Sequence, residues 1–125
     1  MSDRLRGVVL THAGLAESLV RAVFEITGDD EALVAASNVG LGRDRLCDLV
    51  AELTIDSPTV VFVDLPGGSC LQAVVAATRE RHDVALVSGV NLPMLLDFVF
   101  NRDVTAAAAA ERASEVGTKA IKVMA

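Results

Sequence analysis

Apolar residues along this chain fall into two alternating kinds of segment. Val8-Val9-Leu10, Leu33-Val34-Ala35-Ala36, Val60-Val61-Phe62-Val63 and Val84-Ala85-Leu86-Val87 are short unbroken runs bounded by glycines or polar clusters. Runs of that length and type are strands buried on both faces, as in a parallel sheet, and they predict strands over 6–11, 33–37, 59–63 and 84–88. Between them the spacing turns helical. Leu15, Leu19, Val23 and Ile26, with Val20 and Phe24 beside them, form one stripe, while Glu17, Arg21 and Glu25 sit four apart on the other side. That is an amphipathic helix over 15–27, stopped by Gly28-Asp29-Asp30. Leu46, Leu49, Val50 and Leu53 predict a second helix over 44–53, after a loop at 38–42. A third is expected over 69–81 with Ser69 as its N-cap. A fourth has Pro93 in its first turn and holds Met94, Leu95, Phe98 and Val99. The alanine-rich stretch 104–116 is a strong helix former ended by Gly117, and 119–124 alternates polar and apolar as an edge strand does.

Strands alternating with helices predict an α/β fold, a doubly wound and mostly parallel sheet with right-handed crossovers. The 125 residues are read as one domain, 1–125, with 119–124 as an antiparallel C-terminal edge strand. Every conspicuous polar or glycine-rich loop follows the carboxyl end of a strand, the edge at which open α/β sheets bind ligands.

Composition narrows the function. With 52% apolar residues but only 3% aromatics, Val, Ala and Leu fill the core. A net charge of -6 and the lack of Lys/Arg clusters argue against nucleic acid, whereas an acidic surface suits a basic protein partner. Cys47 and Cys70 form no CxxC motif and are expected as reduced thiols. The N-terminus has no secretory h-region, and no apolar run approaches the ~20 residues that cross a bilayer. A soluble cytoplasmic protein without cofactor or metal is the expectation.

The candidate chemistry gathers at one sheet edge. His12 ends the first strand and Asp64 the third, and in a strand order of 2-1-3-4 those strands are neighbours roughly 5 Å apart. A carboxylate beside an imidazole accepts a hydrogen bond from one ring nitrogen, fixes the tautomer and leaves the other nitrogen's lone pair pointing outward. Histidine is then itself the nucleophile. Gly67 and Gly68 allow close approach of backbone amides, Ser69 opens a helix whose N-terminus attracts an anion, and Thr11 offers a hydroxyl beside His12. Each residue also has a plain structural reading. His12 is then a strand-end residue, Asp64 a turn or cap residue, Gly67-Gly68 a tight turn, Ser69 an N-cap, and Cys70, whose functional reading is a thiol of lowered pKa at the helix start, a small buried residue. His82 falls at the opposite end of the sheet and is expected in solvent.

Three segments, Val8 to Ala16, Phe62 to Ser69 and Ser88 to Leu95, resemble in order the three signatures of the mannose-family EIIA domain. That domain belongs to the bacterial phosphoenolpyruvate-dependent sugar phosphotransferase system. The resemblance implies a phosphotransferase component in which His12 accepts a phosphoryl group from the phosphocarrier HPr and passes it to EIIB. It implies that Asp64 holds the ring, that Thr11 and Ser69 stand near the phosphoryl group, and that Gly89, Val90, Asn91 and Pro93 border the site. It also implies a homodimer, whose last strand can be exchanged between subunits. The family usually has proline where this chain has Cys70, which bears on the stiffness of the first helical turn there. The chain ends soon after the family core, so EIIB is expected as a separate chain. The alternative is a regulatory module that senses phosphorylation state without sugar transport. A receiver-like domain phosphorylated on Asp64 is weaker, because Val8-Val9-Leu10 supplies no acidic cluster for Mg²⁺.

Overall fold

The computed structural model describes residues 4–125. Four strands, β1 (Arg6–Thr11), β2 (Leu33–Ser37), β3 (Thr59–Val63) and β4 (Val84–Val87), form an all-parallel sheet in the order β2-β1-β3-β4. The helices are α1 (Leu15–Thr27), α2 (Arg43–Leu53), α3 (Gly68–Thr78), α4 (Leu92–Phe100) and α5 (Ala106–Lys119).

Alternation along β1 and β3 explains why both faces are apolar. Val9, Val60 and Phe62 point into one core with Val23 of α1, Leu95 and Phe98 of α4, and Ala109 and Ala113 of α5. Val8, Leu10, Val61 and Val63 point into the other, with Leu46 and Val50 of α2 and Ala73 and Val74 of α3. The unbroken apolar runs are therefore two interleaved faces, each covered by helices. Phe62 and Phe98 meet edge to face at 5.3 Å and 75°. Such a pair contributes about 0.5–1.5 kcal/mol beyond its burial. This seating requires Gly7, where an added Cβ would lie 2.5 Å from Leu33 Cδ2 and 2.7 Å from Phe98 Cε2.

Three expectations are corrected at element ends. Gly117 does not stop the last helix; α5 runs on to Lys119, and Gly117 lies buried within it. A Cβ there would approach Met94 Cε to 2.7 Å and Asn91 Oδ1 to 3.0 Å, so glycine is present to let α5 close on α4. Among the described residues, 121–125 pair with no strand and leave Ile121, Val123 and Met124 exposed, so the expected antiparallel edge strand is not part of this four-stranded sheet. Ser69 is not the N-cap of α3. The helix starts one residue earlier and its cap is Gly67, which offers no side-chain hydrogen bond.

The sheet register positions the candidate site. Leu10 pairs with Val63 and Thr11 with Ser37, so the residues that follow β1, β2 and β3 emerge at one edge.

Candidate functional site

The turn after β1 is built by Thr11. Its hydroxyl is fully buried, accepts the Ala16 amide at 2.7 Å and donates to the His12 carbonyl at 3.3 Å. The side chain expected beside a phosphoryl group is thus occupied in joining strand to helix. Ala13 takes the left-handed region at φ 53°, which turns the chain sharply into α1. Asn38, at the end of β2, supports this turn, because its Oδ1 accepts the Ala13 amide at 3.3 Å. Its Nδ2 faces Ser69 Oγ at 3.4 Å.

His12 leaves the turn directly against Asp64. The His12 backbone amide donates to Asp64 Oδ2 at 3.0 Å, and ring Nδ1 lies 3.2 Å from Oδ1 and 3.0 Å from Oδ2. The His12 side chain is 38% exposed, whereas that of Asp64 is 13% exposed. Burial pushes the Asp64 carboxyl upward, but the backbone and ring hydrogen bonds from His12 outweigh it and hold the group below its ordinary value. Asp64 is therefore ionised at neutral pH. A carboxylate can only accept, so in the neutral imidazole the proton sits on Nδ1 and Nε2 keeps its lone pair.

The start of α3 stands at the Nε2 side of the ring. Gly68 has φ +90°, and a Cβ built on it would lie 3.6 Å from His12 Cε1 and 3.7 Å from Nε2. Both the left-handed backbone and this close passage explain the glycine. With no side-chain cap on α3, its first amides are not engaged by Gly67, and helix N-terminal amides favour an anion. Ser69 is exposed in the first turn.

The 89–93 loop is tied to the same edge. The Val90 amide donates to the Val63 carbonyl at 3.0 Å, and Gly89 turns the chain at φ +75°. Asn91 does not aim at His12. Its Oδ1 caps α4 by accepting the Met94 amide at 3.1 Å, and its Nδ2 donates to the Gly117 carbonyl at 3.1 Å. Pro93 lies in the first turn of α4. His82 is exposed at the far end of the sheet.

One feature escaped the sequence reading. Asn38 was legible only as a loop residue, although its place after a strand adjoining β1 in the order 2-1-3-4 was a usable signal. Cys70 is not the thiol of lowered pKa that its place at a helix start allowed: it is buried, and burial with the nearby Asp64 charge pushes the thiol above its ordinary value. One ligating atom each from His12, Asp64 and Cys70 lies within 4.8 Å of the others. Cys47 and Cys70 are both free thiols, as expected. No helix among the described residues is long and apolar enough to cross a membrane.

Comparison with known proteins identifies the fold and the family. The mannose-specific EIIAB component of the phosphotransferase system from Escherichia coli K12 is 26% identical over 101 residues, covering 77% of this chain. The chain spans 31% of that relative's length. An EIIA component from Streptococcus agalactiae superposes with a TM-score of 0.88 at 20% identity, over 95% of this chain and 96% of that one. The mannose/sorbose-specific IIA subunit from Enterococcus faecalis gives 0.86 at 20% identity, over 98% and 96%. Those two likenesses establish the fold. The sequence model named EIIA-man, described as the phosphotransferase system fructose IIA component, matches residues 7–115. With nearly the whole chain matched, the protein belongs to this family, the mannose-type IIA components of the phosphotransferase system.

Proposed function

We propose that this protein is a phosphohistidine carrier that takes a phosphoryl group from phospho-HPr onto His12 Nε2 and gives it to EIIB. The observation that carries the reading is the asymmetric imidazole. Nδ1 is bound to an ionised Asp64 at 3.0 Å, while Nε2 faces the glycine-opened start of α3.

In the transfer the Nε2 lone pair attacks phosphorus as the donor's phosphorus–nitrogen bond breaks. No proton has to leave Nε2, because the ring proton already sits on Nδ1. The ring becomes cationic as the new bond forms, and the buried Asp64 carboxylate offsets that charge. The phosphoryl oxygens face the amides of Gly68 and Ser69 and the Ser69 hydroxyl. Thr11 and Asn38 act as positioning residues through the turn that carries His12. The reverse steps deliver the group to EIIB.

A carrier whose phosphoryl group comes ultimately from phosphoenolpyruvate works in the cytoplasm. The acidic surface suits a donor with a basic docking face, and the exposed apolar residues of the tail suit a homodimer. Incubation with phosphoenolpyruvate, enzyme I and HPr is expected to give one acid-labile, base-stable phosphoryl group per chain. A folded His12→Ala variant that still acquires that adduct would refute the assignment.

A further inference from the structure

We propose that His12, Asp64 and Cys70 form a binding site for a soft divalent cation of the zinc class, and that this cation and the phosphoryl group exclude each other. The site combines nitrogen, oxygen and sulfur ligands, the set that zinc takes in preference to magnesium or calcium.

The distances suit such an ion. With metal–nitrogen and metal–oxygen bonds of about 2.0–2.1 Å, two ligands of a tetrahedral zinc lie about 3.3 Å apart. Nδ1 stands 3.2 and 3.0 Å from the two Asp64 oxygens, so this edge is already set. The sulfur edge of a tetrahedral site is about 3.5 Å, and one ligand atom from each of His12, Asp64 and Cys70 lies within 4.8 Å of the others, so closing the site takes a movement of at most about 1.3 Å along that edge. Cys70 is 1% exposed and closes the inner side, while the His12 side chain, at 38%, leaves a fourth position towards solvent.

The antagonism is a matter of tautomers, and it rests on the carrier reading. A cation on Nδ1 displaces the proton from that nitrogen, and the neutral ring then carries it on Nε2. The thiol proton leaves to solvent as the thiolate binds. With Nε2 protonated there is no lone pair to attack phosphorus. A phosphorylated ring in turn keeps its proton on Nδ1, against Asp64, and resists the metal.

The test uses the purified full chain with Co²⁺ as a spectroscopic stand-in and Zn²⁺ as the competitor. One Co²⁺ per chain is expected, with a thiolate-to-cobalt charge-transfer band that Zn²⁺ removes. The band should survive Cys47→Ser and vanish in Cys70→Ser and Cys70→Ala. In the unsubstituted protein, ¹⁵N spectra of His12 should show the ring proton moving from Nδ1 to Nε2 on adding Zn²⁺, a readout that needs no variant. Saturating Zn²⁺ should slow phosphoryl acceptance from purified phospho-HPr at least tenfold, each Cys70 variant being compared with its own metal-free rate and losing that sensitivity. Absence of the band, a band unchanged in both Cys70 variants, or an unmoved ring proton would overturn the site. Binding as described with an unslowed transfer would overturn the antagonism. Binding as described in a protein that never accepts a phosphoryl group would leave the metal site standing and refute the carrier.

Discussion

Replacing Asp64 with asparagine keeps the shape of the side chain and removes the charge and one acceptor. In the native site the His12 amide and ring Nδ1 both reach Oδ2 at 3.0 Å, and Oδ1 lies 3.2 Å from Nδ1. The amide of the variant can keep its oxygen for the His12 backbone donor. Its NH₂ group then takes the place of Oδ1 and points at Nδ1, which favours an unprotonated Nδ1 and a protonated Nε2. A hydrogen bond to a charged group contributes about 1.5–3 kcal/mol and a neutral one about 0.5–1.5, so the native tautomer loses about 1–2 kcal/mol. At tenfold per 1.4 kcal/mol, this lowers the competent fraction by about 5- to 30-fold. Loss of the counter-charge to the cationic phosphorylated ring adds to that figure. Stopped-flow or quench measurement of acceptance from phospho-HPr should therefore show Asp64→Asn slower by at least about fivefold. Nitrogen NMR should show the proton on Nε2. A variant that reacts within twofold of the native rate, with its proton still on Nδ1, would refute the assignment of Asp64 as the residue that fixes the tautomer.

Other perturbations follow from the same geometry. Gly68→Ala forces a side chain into φ +90°, a strain of about 1–3 kcal/mol, and sets a methyl 3.7 Å from Nε2. Urea unfolding should report the strain, and transfer should slow beyond what the lost stability accounts for; an unchanged rate would remove Gly68 from the site. Gly7→Ala overpacks the core against Leu33 and Phe98 and is expected to cost about 1–3 kcal/mol, with the transfer rate of the folded protein retained. Equal stability of the two proteins would contradict that packing. Asp64 has a folded-state pKa below its unfolded value, so its contribution is complete above the unfolded carboxyl range and is lost as pH falls through the folded value. Unfolding free energy should therefore drop below about pH 4 more steeply in the native protein than in Asp64→Asn, and parallel curves would refute the linkage.

Much of the fold was legible because each strand is short, apolar and closed by a turn signal. The predicted limits of β1, α1, β2 and β3 agree with the structure. The errors share one cause: glycine and alternation are local signals with more than one physical origin. Gly117 looked like a helix stop, yet it serves close approach of α5 to Asn91 and Met94, contacts made across 26 and 23 residues of chain. The alternating tail reads as an edge strand, but a strand needs a partner edge, and among the described residues the sheet within one chain gives 121–125 none, which leaves exchange with a second subunit as the way such a strand would form. Ser69 read as a cap because serine is a good one; the chain instead begins α3 at Gly68, where only glycine holds φ +90°.

The site divides in the same way. Residue order alone specifies the reagents, a histidine and an aspartate at two strand ends and a glycine pair before a helix, and it suffices to bring them to one edge. What each does there is settled by packing. It put Nδ1 rather than Nε2 on the carboxylate, turned Thr11 inward to hold the turn and Asn91 away to cap α4, and brought Asn38 and Cys70 into reach. Those outcomes depend on side-chain direction at a given register. A shift of one residue in β1 against β3 would exchange the side chains of the two cores and carry His12 out of line with Asp64.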